Sequence, residues 1–198
     1  MSDEKYNRSL IIDTNALLYQ LAYWIEIRID SKTRRLKDSR INKAHDLISK
    51  YSKKYITQTI KSEFFEDHEV KHKFMEEIRK LLGIRSRIIS KKILEKPLSK
   101  LKERITEIQL NCLQSELDAI EAFYDNIIST LTDDDKKLWN TGYGEGKPLM
   151  PEPNDRKILA ECIKMEEDVC LISNDRAFTF DKFKTRIESD YDILIECL

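Results

Sequence analysis

The stretch LIIDTNALL, Leu10 to Leu18, decides how the chain begins to fold. Leu10, Ile11 and Ile12 make an unbroken apolar run, the pattern of a strand buried on both faces, and the run stops at Asp13. Beyond it Leu17, Leu18, Leu21, Ala22 and Ile25 recur at three- and four-residue steps, so the periodicity predicts a helix over 16–29. A carboxylate at the joint between strand and helix either caps the helix or is held there for chemistry.

The same design returns near the other end of the chain. VCLISND, Val169 to Asp175, is a short apolar run that closes on polar residues and an aspartate. KYITQT, Lys54 to Thr59, reads as a further strand leading into the helical start IKSEFFEDHEV, and DILIECL, Asp192 to Leu198, as a last one. Between them lie amphipathic helices, marked by Ala44, Leu47, Ile48 and Tyr51 and by Ile158, Leu159, Cys162 and Ile163. Short apolar strands alternating with such helices predict a three-layer α/β/α fold around a short central parallel sheet. Sites in such folds form beyond the carboxyl ends of the strands, where Asp13 and Asp175 stand.

Residues 66–138 have a different character, with Gly83 and Pro97 as their only glycine and proline. Helical spacing persists through Ile78, Leu81 and Leu82 and through Leu113, Leu117, Ile120, Phe123, Tyr124 and Ile127, so at least two long helices are expected, broken near 83–97. Asn140 to Asp155 holds three of the four glycines and three of the four prolines and reads as a loop. The organisation expected is a single domain over 1–198 with a helical insertion at 69–150.

Composition narrows the function classes. Of 198 residues 36% are charged, with 35 Lys and Arg against 36 Asp and Glu, so overall charge selects no partner. Cys112, Cys162, Cys170 and Cys197 contain no C-x-x-C pair, and His45, His68 and His72 do not complement them, which argues against structural zinc. No apolar run has the length of a membrane span and the first residues are polar, so a soluble, cytoplasmic protein without membrane contact is expected.

Two strand-end aspartates in adjacent strands would repel each other unless a cation lay between them, and hard ions such as Mg²⁺ or Mn²⁺ suit oxygen ligands. Glu63, in the first turns of a helix, and Asp155, opening another, are placed to join them. Each alone is an ordinary helix-start acid. On these residues the chain resembles the PIN-domain nucleases. LIIDTNALL resembles that family's first motif, ITQTIKSEF its second, and NDRKILAECIKMEEDVCLISNDRAF its last two in order. The resemblance covers 8–68 and 152–198; 69–150 departs from it. It implies an Mg²⁺- or Mn²⁺-dependent endoribonuclease in which Asp13, Glu63, Asp155 and Asp175 are catalytic acids and metal ligands. It also implies that Asn15 and Ser173 orient a carboxylate or water, with Asp181 a looser accessory match. RNA, single-stranded or structured, is then the expected substrate, with 69–150 available for a homodimer or a protein partner. Phosphate-binding candidates are Arg34 and Arg35, with Lys32, Lys37 and Arg40 in the same connector, and Arg156 and Arg176, each directly after a proposed ligand. Arg79, Lys80, Arg85, Arg87, Lys91 and Lys92 form a second basic set, and Tyr143 is a candidate base-stacking ring. Competing readings are a non-catalytic PIN-like scaffold, the toxin of a toxin–antitoxin pair, and a phosphotransferase with an aspartate nucleophile. The last expects an acid where Asn15 stands.

Overall fold

The computed structural model describes residues 4–26, 39–66, 76–82, 91–143 and 149–198. Strand β1, Ser9–Ile12, leads into helix α1, Thr14–Glu26, then α2, Ser39–Lys50, and β2, Lys54–Thr57. A short α3, Gln58–Lys61, runs on into a π-helical turn, Ser62–Glu66. After α4, over 76–82, come α5, Lys91–Arg104, β3, Thr106–Ile108, α6, Gln114–Ser129, and α7, Asp133–Tyr143. The chain closes with α8, Pro153–Ile163, β4, Val169–Ser173, the single turn α9, Arg176–Thr179, α10, Asp181–Tyr191, and β5, Leu194–Cys197.

The five strands form one all-parallel sheet in the order β3-β2-β1-β4-β5, with helices packed around it, so the three-layer α/β/α expectation holds. Leu10, Ile11 and Ile12 pair with Cys170, Leu171 and Ile172, and all six are buried. From β1 the chain moves to β2 on one side; from β4 it moves to β5 on the other. That reversal opens a crevice at the carboxyl ends of β1 and β4. Among the described residues no helix is long and apolar enough to cross a membrane.

The region 69–150 does not stand apart from this core. Leu101, Ile120, Tyr124, Ile127, Leu131 and Trp139 belong to the same buried cluster as β1 and β4. The Trp139 ring meets Phe180 and Phe183 edge-on at 5.4 Å and 5.3 Å. The region is also not wholly helical. It supplies β3, which the sequence reading missed because Thr106 and Glu107 face solvent at the sheet edge and leave no apolar alternation to detect. Pro97 lies inside α5 rather than in a break. Pro97 and Leu101 are buried there, and packing against α1 holds the helix despite the lost backbone donor. The expected loop at 140–155 is shorter than composition suggested, since α7 extends to Tyr143 and Pro153 opens α8, where a missing N–H costs nothing.

Candidate active site

Asp13 ends β1 and begins α1. Its N–H donates to Ile172 O at 3.1 Å and its carbonyl accepts from Leu17 N at 2.9 Å. Its side chain is also fully engaged: Oδ1 accepts from Thr14 N at 2.7 Å and Oδ2 from Ser173 Oγ at 2.6 Å. The residue is 3% exposed. Burial pushes its carboxyl up to about 7, and the Asp175 and Glu63 carboxylates push the same way against the Ser173 and Thr14 hydrogen bonds.

Ser173 couples the two strand ends. While its hydroxyl donates to Asp13, its Oγ accepts from Asp175 N at 2.9 Å. Asp175 in turn caps α9, its Oδ1 accepting from Ala177 N at 2.8 Å. Asp155 occupies the first turn of α8, where its Oδ2 accepts from Glu152 N at 3.1 Å. Burial raises its carboxyl to about 8, and Asp175 and Asp13 add to the rise.

Glu63 is gripped from two elements. Thr14 Oγ1 of α1 donates to its Oε2 at 2.6 Å, and Asn154 Nδ2 of α8 donates to its Oε1 at 2.6 Å. The residues beside Asp13 and Asp155 thus hold the glutamate between them. Asp175 and Asp13 act on Asp155, and Asp175 and Glu63 act on Asp13, so the four sequence-predicted acids are linked electrostatically through Asp13.

The oxygen-only donor set matches what a hard divalent ion prefers, and such an ion would offset the burial and carboxylate repulsion that raise Asp13 and Asp155. Among the described residues, no three His, Cys, Asp or Glu side chains stand grouped tightly enough to hold a metal ion as they lie. The carboxylates instead take backbone and hydroxyl donors, the ordinary compensation for like charge.

The remaining predicted residues have varied positions. Asn15 makes no hydrogen bond to any of the acids; its neighbour Thr14 does. Arg156 pairs with Glu121 Oε2 at 2.5 Å. Arg176 donates from Nη1 to Leu138 O at 2.6 Å and Trp139 O at 2.9 Å, tying α7 to the site rather than facing the crevice free. Arg40 stacks over Tyr19, with 5.1 Å to the ring centroid, and Lys80 pairs with Glu77 at 3.2 Å. Asp181 opens α10 and is exposed. Arg34, Arg35, Lys32, Lys37, Arg85 and Arg87, with the side chains of Lys91, Lys92 and Tyr143, lie outside the described residues.

Sequence reading missed Thr14 and Asn154, although each adjoins a predicted acid. It also missed Glu161, a fully buried carboxylate in α8 whose Oε1 accepts from Thr59 N at 3.3 Å and Thr59 Oγ1 at 2.8 Å. Its signal was an acid inside the apolar run ILAECI. No protein-family model, curated protein or solved structure matches the chain.

Proposed function

We propose that this protein is a metal-dependent endoribonuclease of PIN-like design. The observation that carries the reading is the cluster at the switch point: Asp13 and Asp155, both raised by burial and by Asp175, at the ends of elements that converge there. Gathering carboxylates at one buried edge costs desolvation and repulsion that hydrogen bonds only partly offset, and such perturbed groups concentrate at functional sites.

Asp13, Asp155 and Asp175 would hold the ion by drawing closer than they lie, with Glu63 held nearby by Thr14 and Asn154. A bound Mg²⁺ or Mn²⁺ would polarise a phosphate oxygen and lower the pKa of its water. The chain's own part is positioning. Ser173 fixes the Asp13 carboxylate through its hydroxyl and the Asp175 backbone through its Oγ, while Ala177 N holds the Asp175 carboxylate, so the two strand ends keep one geometry. Thr14 and Asn154 hold both Glu63 oxygens and so orient it to take a proton from an attacking water. Because Asp13 and Asp155 keep protons near neutral pH, ion binding would release them.

The decisive test is cleavage of single-stranded RNA and DNA in Mn²⁺, Mg²⁺ or chelator by the wild type and by Asp175→Asn. Cleavage that needs the ion and falls by at least about 100-fold in the variant supports the reading. A wild type that cuts no nucleic acid with either ion leaves the scaffold reading in its place.

A further inference from the structure

A groove of ≈ 320 Å³ runs beside Glu63, between α3 with its π-helical turn and α8. Gln58, Thr59, Ser62 and Glu63 form one wall; Asn154 and Lys157 form the other. Asn154 and Lys157 are three residues apart on α8 and share a face. Asn154 reaches Glu63, which places Lys157 about one helical turn further along the groove.

Lys157 is half-buried and, among the described residues, has neither an ion pair nor a hydrogen bond. That sets it apart from Arg156 and Arg176, whose guanidinium groups are already used by Glu121 and by the α7 carbonyls. On the opposite wall, Gln58 Oε1 is buried with no hydrogen-bond partner, while its Nε2 donates to Ser62 Oγ at 3.4 Å. A half-buried side chain with a broad terminal torsion can turn that acceptor toward the groove. The groove therefore has on one wall a cation with no ion pair among the described residues, its charge also felt by Glu161, and on the other an acceptor that becomes available once the Gln58 amide turns.

A ligand that satisfies both carries an anion and, a short distance away, a hydroxyl donor. A ribonucleotide unit has this pair in its phosphate and 2′-OH; a deoxyribonucleotide lacks the donor. We infer that this groove is a ribose-phosphate subsite, with Lys157 binding the phosphate and Gln58 accepting from the 2′-OH, and that it makes the protein prefer RNA to DNA. The inference rests on the nuclease reading for its place beside the acids.

The test measures binding by fluorescence anisotropy of a labelled single-stranded RNA and of DNA of the same sequence. It uses the Asp175→Asn background in Mg²⁺ across a salt series, with RNA cleavage by the single variants followed in parallel. Lys157→Met should weaken binding of both strands by about tenfold. It should also shrink the salt slope by about 0.7, the value for one phosphate of a single strand. Gln58→Met, equal in length but without the acceptor, should lower the RNA-to-DNA affinity ratio by about fivefold or more. Thermal melts that match the parent exclude misfolding as the cause; if Lys157→Met melts early, Lys157→Gln replaces it. An unchanged salt slope in the lysine variant, or an unchanged ratio in the glutamine variant, overturns the subsite. A wild type that cuts RNA while both variants cut and bind equally well removes the subsite and leaves the nuclease reading standing. A wild type that cuts nothing, yet shows variant-sensitive RNA preference, does the reverse.

Discussion

Asp13 shows why a strand-end acid cannot be sorted into cap or ligand by inspection. It is a cap, since Thr14 N sits 2.7 Å from Oδ1, and its other oxygen is held by Ser173 at 2.6 Å from the neighbouring strand. A cap alone has no need of burial beside Asp175. The cost has a measurable sign. Asp13 and Asp155 have carboxyls raised to about 7 and about 8 in the fold, so the folded state binds protons that the unfolded chain has already lost. Their contribution to stability is full below the ordinary carboxylate range and disappears as pH rises through those raised values. In chelator, wild type minus Asp155→Asn should therefore show a melting-temperature difference that grows unfavourable for wild type between about pH 5 and about pH 8. Mn²⁺ added at the upper pH should close that gap; a gap independent of both pH and ion would rule out the repulsion argued for this cluster. Thr14 permits a second measurement at this scale. Thr14→Val keeps the shape but deletes the donor to Glu63 Oε2, and RNA cleavage should fall by about tenfold with the melting temperature nearly unchanged.

Among elements, α8 carries the most chemistry for its length. Asn154 and Asp155 face the acid cluster from its first turn, Lys157 faces the groove, and Glu161 is buried against Thr59. Glu161→Ala would strand the Thr59 N–H and hydroxyl in the interior and should cost about 2–4 kcal/mol in urea unfolding. The variant Glu161→Gln keeps an acceptor and should lose less; equal losses would show that the hydrogen bonds are not the source. The link between α7 and the site runs through Arg176, whose guanidinium holds Leu138 O and Trp139 O. An arginine directly after a candidate acid is therefore used for architecture. Its sequence position looked the same as that of a phosphate ligand, because a chain cannot advertise which carbonyls will lie near it.

For the whole molecule, the central question is whether 69–150 is an attachment or part of the body. Leu101, Tyr124, Ile127 and Trp139 share one buried cluster with β1 and β4, and β3 completes the sheet edge. Tyr124 Oη also donates to Ala177 O at 3.0 Å, directly behind Asp175. Joining 68 to 151 by a short linker should therefore leave no cooperative thermal transition, and Trp139→Ala alone should cost about 3–5 kcal/mol. A deletion variant that melts cooperatively would show that the region is dispensable. What the sequence by itself determined was the parallel α/β core and the placing of Asp13, Glu63, Asp155 and Asp175 at element ends. Apolar runs and helical periodicity are local signals, and a strand that stops at an acid puts that acid at a carboxyl edge. Only the tertiary structure decided that β1 and β4 are neighbours at the reversal of strand order, that Thr14 and Asn154 share Glu63, and that Arg156 and Arg176 are taken while Lys157 has no ion pair among the described residues. Those are contacts between residues far apart in the chain, set by how the helices close over the sheet, and no periodicity along the sequence encodes them.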